Sequence, residues 1–235
     1  MLVQPHCIIS VVRLRIWGGY DNPYYATDYD IKSGMTFTGV TGSVDNRSWT
    51  QNGGNPSFTN GTYTVSYPSS GFDGSNCELL FTSSSGLAFY AQSYYNGSGT
   101  ANTSGTTTAS SNNYYGSYVQ VTLPYKLVLK QIDIVGQISG SLDLRPRTPY
   151  RVYLFGSNDN GTTFTLLGQE DFPYPLSNAN DTFITITSIT EGYSTIRMVI
   201  HKTQKANTDA DITDSHGNTV TALSQWHLTG DVLKE

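Results

Sequence analysis

The sequence predicts an all-β chain: an antiparallel sandwich of the jelly-roll kind, preceded by an N-terminal extension of strands and loops. Three observations carry this. Residues 118–167 spell consecutive stretches in which apolar and polar side chains alternate, among them Tyr118-Val119-Gln120-Val121-Thr122-Leu123, Gln131-Ile132-Asp133-Ile134-Val135-Gly136 and Val152-Tyr153-Leu154-Phe155. A period of two is the mark of a half-buried strand. Each stretch is then cut off by a turn signal, the sharpest being Ser157-Asn158-Asp159-Asn160-Gly161. Asn and Gly accept positive φ there, so two strands can fold back as a hairpin. Finally, no segment sustains the apolar spacing of three and four that a helix needs.

Composition agrees. Of 235 residues, 37% are hydrophobic and only 13% charged, and Gly, Ser, Thr and Asn fill the gap. That suits many strands joined by polar turns. The 17 Tyr, 9 Phe and 3 Trp supply a core, which a disordered chain lacks. The net charge of −5 and the absence of a basic stripe argue against nucleic acid, whose binders release phosphate counterions through clustered Lys and Arg. No apolar run approaches the length of a membrane span. Met1–Ile9 has neither a basic start nor an adequate apolar run, so no secretory signal is expected there. Cys7 and Cys77 make neither a disulfide framework nor a zinc site by themselves. Two buried thiols are the simpler reading, a mutual disulfide the alternative.

Along the chain, Ile8–Trp17 is a strand candidate with Val12, Leu14 and Ile16 on one face and Arg13 and Arg15 on the other. Residues 18–60 loosen into short strands and ordered loops. We therefore divide the chain into an extension over 1–59, with a possible anchoring role, and a sandwich over 60–235. In the latter, Thr62–Tyr67, Leu79–Thr82 and Leu87–Ala91 read as strands. Residues 93–117 read as a long polar loop with two tyrosine pairs, a kind of segment that often carries function. Strands follow at Tyr118–Leu123, Leu127–Gln137, Tyr150–Ser157, Phe164–Asp171, Thr182–Ile189, Thr195–His201 and Trp226–Gly230, with a polar insertion from Lys205 to Asn218.

An ordered set of motifs resembles the discoidin, or F5/8 type C, domain, a galactose-binding-like sandwich. Gly71-Phe72-Asp73-Gly74 is similar to its Phe-Asp-Gly loop. Tyr118–Leu123 and Leu129–Ile134 are similar to its central strands. Tyr150–Asp159 with Phe164-Thr165-Leu166-Leu167 resembles its Gly-Ser-Asn-Asp hairpin. Tyr193 with Ile196–Ile200, and Trp226–Gly230, resemble its closing strands. The phrasing of residues 60–66 and 119–124 is similar to versions in structural proteins of large DNA viruses. The resemblance implies a discoidin-like fold and, from that variant, a virion protein, minor capsid or fibre-like, with other capsid proteins as partners. The alternative is a carbohydrate-binding module, extracellular, free or appended to an enzyme, with cell-surface glycans as partners. It also implies a calcium ligand at Asp73. Gln225 stands where a Glu is common, which weakens such a site for a hard cation; the other reading of Asp73 is a carboxylate capping its own turn. Tyr118 replaces a usual Trp and is expected to fill a core slot.

No catalytic set is expected. His6, His201, His216 and His227 lack metal-ligand spacing, and no Gly-x-Ser-x-Gly elbow is present. Glu170-Asp171 alternate across a strand end, so their side chains diverge. Asp209, Asp211 and Asp214 read as a solvated loop. Binding is the better expectation, because sugar sites combine aromatic faces with polar groups. Tyr94, Tyr95, Tyr114 and Tyr115 sit in the polar loop with Asn96, Asn112 and Asn113. Arg145 and Arg147 lie in the turn that faces ligand in sugar-binding relatives, where they could donate to hydroxyls or a carboxylate. Sequons occur at Asn46, Asn60, Asn96, Asn102, Asn160 and Asn180, a number the Asn, Ser and Thr content largely explains.

Overall fold

The structure is a computed structural model. It describes residues 25–30, 35–40, 46–51, 62–67, 80, 89–91, 94–137, 144–175, 181–206 and 220–233, with backbone alone in the first three stretches. The strands are β1 (Tyr25–Asp30), β2 (Met35–Val40), β3 (Asn46–Gln51), β4 (Thr62–Ser66), β5 (Phe89–Ala91), β6 (Thr106–Ala109), β7 (Asn112–Tyr115), β8 (Ser117–Gly136), β9 (Pro149–Ser157), β10 (Thr165–Asp171), β11 (Asp181–Thr185), β12 (Tyr193–Thr203) and β13 (Thr221–Leu233). Every pairing between them is antiparallel. The sandwich read from the sequence is the fold.

Its frame is β8, a single strand of 20 residues where the sequence suggested two. The first half pairs with β12 and β4, so that Val121 faces both Ile196 and Val65. The second half pairs with β13 and β11, so that Ile132 faces Leu228 and Ile184. The strand passes from one layer to the other around Pro124, which has no N–H to give a ladder. Its inward residues are Val119, Val121, Leu123, Leu127 and Leu129, then Ile132 and Ile134. The alternation slips by one after Leu129, where the β13 register jumps from Gly230↔Leu129 to Thr229↔Gln131. A bulge of this kind re-aims the following side chains, here keeping them in the core. Trp226, Phe89, Leu154, Met198 and Ile200 fill the space between the layers and are fully buried or nearly so.

One layer runs β10-β9-β12-β8-β4-β3-β2, and the other places β13 beside β8, β1 and β5. Ladders therefore cross residue 60: β1 lies against β13, and β3 against β4. The expected strand at Ile8–Trp17, and Cys7, Cys77 and Asp73, lie outside the described residues.

The stretch 93–117 is not one long loop. Bridges Tyr95↔Ala101 and Thr100↔Lys202 pin its first part, and β6 and β7 form a hairpin over the outer face of β9 and β12. Ala109 packs there on Phe155 and Val199, with Tyr114, Tyr153 and Phe164 alongside. Gly116 makes this return possible: its φ is 145°, and a side chain would run into the Ile200 carbonyl. The hairpin tip is Ser110-Ser111, with φ of 49° and 67°. Both residues occupy the left-handed region that a two-residue hairpin turn demands, without the Asn-Gly that fits it best. Tyr118, expected in the core, instead stands half-buried on this outer face, because alternation from buried Val119 and Ser117 turns it outward.

The β9–β10 turn forms as expected, with Asn160 and Gly161 at positive φ. Asp159 organises it, accepting from Ser157 Oγ at 2.6 Å, Thr163 Oγ1 at 2.6 Å and Thr163 N at 2.9 Å. These donors favour the ionised carboxylate and lower its pKa to about 2.

Two predictions follow from these turns. Ser110→Asn with Ser111→Gly relieves the left-handed strain and raises unfolding stability by about 1 kcal/mol in urea titration; a loss of stability would refute this geometry of the tip. Asp159 is expected to titrate near pH 2 when followed by carboxyl carbon NMR. Because its folded pKa lies below the unfolded value of about 3.9, its stabilisation is complete above that pH and is lost as pH falls through the folded value. An ordinary titration midpoint would contradict the cap.

Candidate functional site

Antiparallel order brings many chain ends to one end of the sandwich. β12 finishes where β9 starts (Thr203↔Pro149), β10 finishes beside them (Asp171↔Arg151), and β13 starts where β8 and β5 finish (Leu223↔Gly136, Thr221↔Ala91). Two single-turn 3-10 helices close this end, Arg145–Arg147 and Gln204–Ala206.

The first is set by sequence. Pro146 fixes a compatible φ, buried Leu144 anchors the entry, and Arg147 N and Thr148 N donate to Leu144 O and Arg145 O, each at 3.0 Å. Its two arginines divide. Arg147 is buried; Nη1 donates to Gln137 Oε1 at 3.1 Å, and its carbonyl accepts from Thr221 Oγ1 at 2.9 Å. Arg145 is half-buried, with its guanidinium 5.1 Å from the Tyr174 ring centroid and Nη1 3.4 Å from Pro175 O. Arg147 thus fixes the turn, while Arg145 stands over an aromatic ring near solvent.

The second turn is held by Gln204, which is fully buried. Its Nε2 donates to Phe172 O at 2.9 Å, Pro173 O at 3.1 Å and Pro149 O at 3.2 Å, while its N–H reaches Thr148 O at 2.8 Å. One amide thus satisfies the carbonyls of the segment that presents Tyr174. Next to it, Gly99 (φ 74°) receives Thr203 N on its carbonyl at 2.9 Å. Asn96 Oδ1 shapes the same loop, accepting from Ser98 N, Ser98 Oγ and Thr100 N.

The structure separates the residues expected to bind. Arg145 and Arg147 share one turn. Tyr94 and Tyr95, each 2% exposed, are core residues and offer no ring face to a ligand. Tyr95 Oη donates to Ile200 O at 3.0 Å and pairs with Ser117 Oγ at 2.6 Å, and burial holds its pKa above the ordinary phenol range. The cause is the tie at Ala101 N–His201 O, which draws the loop down onto β12. Tyr114 is edge-on to Tyr153 and Phe155 at 4.9 and 5.1 Å. Tyr115 is half-buried, and its carbonyl accepts from His201 Nδ1 at 3.1 Å. Both tyrosines belong to the hairpin. Among the described residues no group of three or more His, Cys, Asp or Glu gathers to hold a metal. Asp209, Asp211 and Asp214 lie outside them. Asp171 is clamped by Arg151 through Nε at 2.8 Å and Nη2 at 2.7 Å, which lowers its pKa, whereas desolvation raises that of Glu170.

Tyr174, Gln137 and Gln204 were missed from sequence. The Phe172-Pro173-Tyr174-Pro175 run, an aromatic held between two prolines after a strand, was the available signal.

No protein-family profile matches the chain, and no curated protein matches it. Solved structures do match. A two-module chain of family 32 carbohydrate-binding domains from Clostridium perfringens ZmpB, in complex with GalNAc, aligns at a TM-score of 0.50 and 8% identity, over 88% of this chain and 36% of that one. The third such module of a family 31 glycoside hydrolase from Clostridium perfringens aligns at 0.47 and 13%, over 71% and 90%. The family 32 module of Clostridium perfringens NanJ, in complex with galactose, aligns at 0.43 and 12%, over 71% and 93%. The fold of this chain is an antiparallel sandwich like that of the ZmpB modules.

Replacing Gln204 with Leu removes the donor from buried carbonyls and costs about 1–3 kcal/mol of unfolding free energy. Urea titration measures it. Unchanged stability would mean that the turn is held by something other than this amide.

Proposed function

We propose that this chain is a non-catalytic carbohydrate-binding sandwich whose sugar sits at the Arg145 end. One observation carries the reading. A guanidinium held over an aromatic ring, backed by a part-buried Arg147–Gln137 pair, stands at the loop end of a fold shared with a GalNAc-bound module. Sugar hydroxyls need fixed donors, and a charged donor makes the stronger hydrogen bond. Arg145 offers such donors, and the Gln204 clamp holds its partner ring without loss of freedom on binding. Glycans on cell surfaces would be the partners, in an extracellular setting.

The virion role expected from the sequence is not supported by the structures compared above, and no feature of the described residues favours it. Among the described residues catalysis has no support either: Asp171 is committed to Arg151, and His201 is lowered in pKa by burial with its Nδ1 on Tyr115 O.

A glycan array, followed by calorimetry with GalNAc and galactose, tests this. Binding is expected, and Arg145→Ala is expected to weaken it roughly 10- to 100-fold, the loss of one charge-assisted hydrogen bond. Tyr174→Ala should weaken it as well, with an unchanged far-UV spectrum in both variants. No binding to any glycan, or binding indifferent to Arg145, would refute the reading.

A further inference from the structure

The outer face of the β8–β12–β9 layer holds a second arginine in a built environment. Arg197 points outward from β12 and is half-buried. Its Cζ lies 4.0 Å from the Tyr118 ring centroid and 4.1 Å from that of Phe164. Nε donates to Gln120 Oε1 at 2.9 Å and Nη1 to Thr107 Oγ1 at 3.1 Å. These acceptors are neutral. Arg151 and Lys130 each hold a carboxylate, Asp171 and Asp231, but among the described residues none faces Arg197. Burial accordingly lowers its pKa. A cation drawn from water without a counter-charge is costly, and ring faces return only part of that cost.

Two donors remain at this edge: Arg197 Nη2 and Gln120 Nε2 carry no hydrogen bond among the described residues. The two rings flank the guanidinium, so a ligand approaches its open edge. Gly161 flanks the same place at φ 79°, and a Cβ there would come to 3.2 Å from both the Gln120 amide and the Phe164 ring. An edge that presents these donors beside a cation with no facing carboxylate fits an oxyanion. A fork of coplanar N–H groups matches a planar carboxylate best.

We propose that Arg197 and Gln120 form a second binding site, for the carboxylate of an acidic sugar of the uronic-acid type. It is separate from the Arg145 end and stands whether or not that end binds sugar. The guanidinium fork receives the carboxylate in its plane, and the Gln120 amide completes the set. Tyr118 and Phe164 keep the fork from turning.

The test follows the Arg197 Nε–H and Gln120 side-chain amide signals by NMR in the full chain. Glucuronate, glucose and sulfate are titrated at constant ionic strength. Glucuronate is expected to shift both signals saturably, with glucose silent and sulfate at least tenfold weaker. Gln120→Glu brings an internal carboxylate to Nε, retains the fold and should weaken glucuronate at least tenfold. The proposal is overturned by no saturable response, by a response to glucose or sulfate equal to that for glucuronate, or by a Gln120→Glu variant that keeps its fold and binds as before.

Discussion

Both layers of this sandwich depend on one strand. β8 pairs with β12 through its first half and with β13 through its second. A break in it would divide the core, because Val121 and Ile132 face the same interior from opposite layers. The chain meets this demand with local chemistry. Pro124 ends one ladder, and a bulge after Leu129 restores the inward phase for Ile132 and Ile134. Contacts of this sort are far apart in sequence, so the fold is dominated by non-local pairing and should form slowly for its size.

At the Arg145 end the same physics has a different outcome. Strand ends leave carbonyl and N–H groups without ladder partners, and buried groups of that kind must be satisfied. Here side chains do it: Gln204 for three carbonyls, Thr221 for Arg147 O, and Tyr95 for Ile200 O. An end satisfied in this way has little left to order on contact, and such ordering subtracts from affinity wherever a surface binds. Rigidity beneath and half-exposed donors above are two faces of one arrangement.

Strand identity was largely legible in the sequence. Tyr150–Ser157, with its Asn160-Gly161 turn, formed as read, because alternation and positive-φ residues act locally. Residues 93–117 were misread as loop because Ser, Thr and Asn give no apolar signal, and only packing of Ala109 and Tyr114 on Phe155 makes the hairpin. The proposed site was legible in part. Arg145 and Arg147 were visible as a pair, but their division into an anchor and a presented group depends on Gln137 and Tyr174, which come from elsewhere in the chain. Tyr94 and Tyr95 looked like ligand contacts because composition cannot tell a tyrosine that binds from one that tethers; burial decides it for both, and for Tyr95 the Ser117 and Ile200 partners as well.

The outer face of the β9–β12 layer shows how a polar sandwich spends its aromatic residues. Phe155 and Val199 would be exposed on a bare sheet, and the β6–β7 hairpin covers them. The central claim is that a β8-joined sandwich presents the Arg145 turn to a sugar. A crystal structure determined with GalNAc tests it most directly. The account expects Ser117–Gly136 in the ladders of both layers and sugar density against Arg145 and Tyr174. Sugar density only elsewhere, or a β8 confined to one layer, would contradict it.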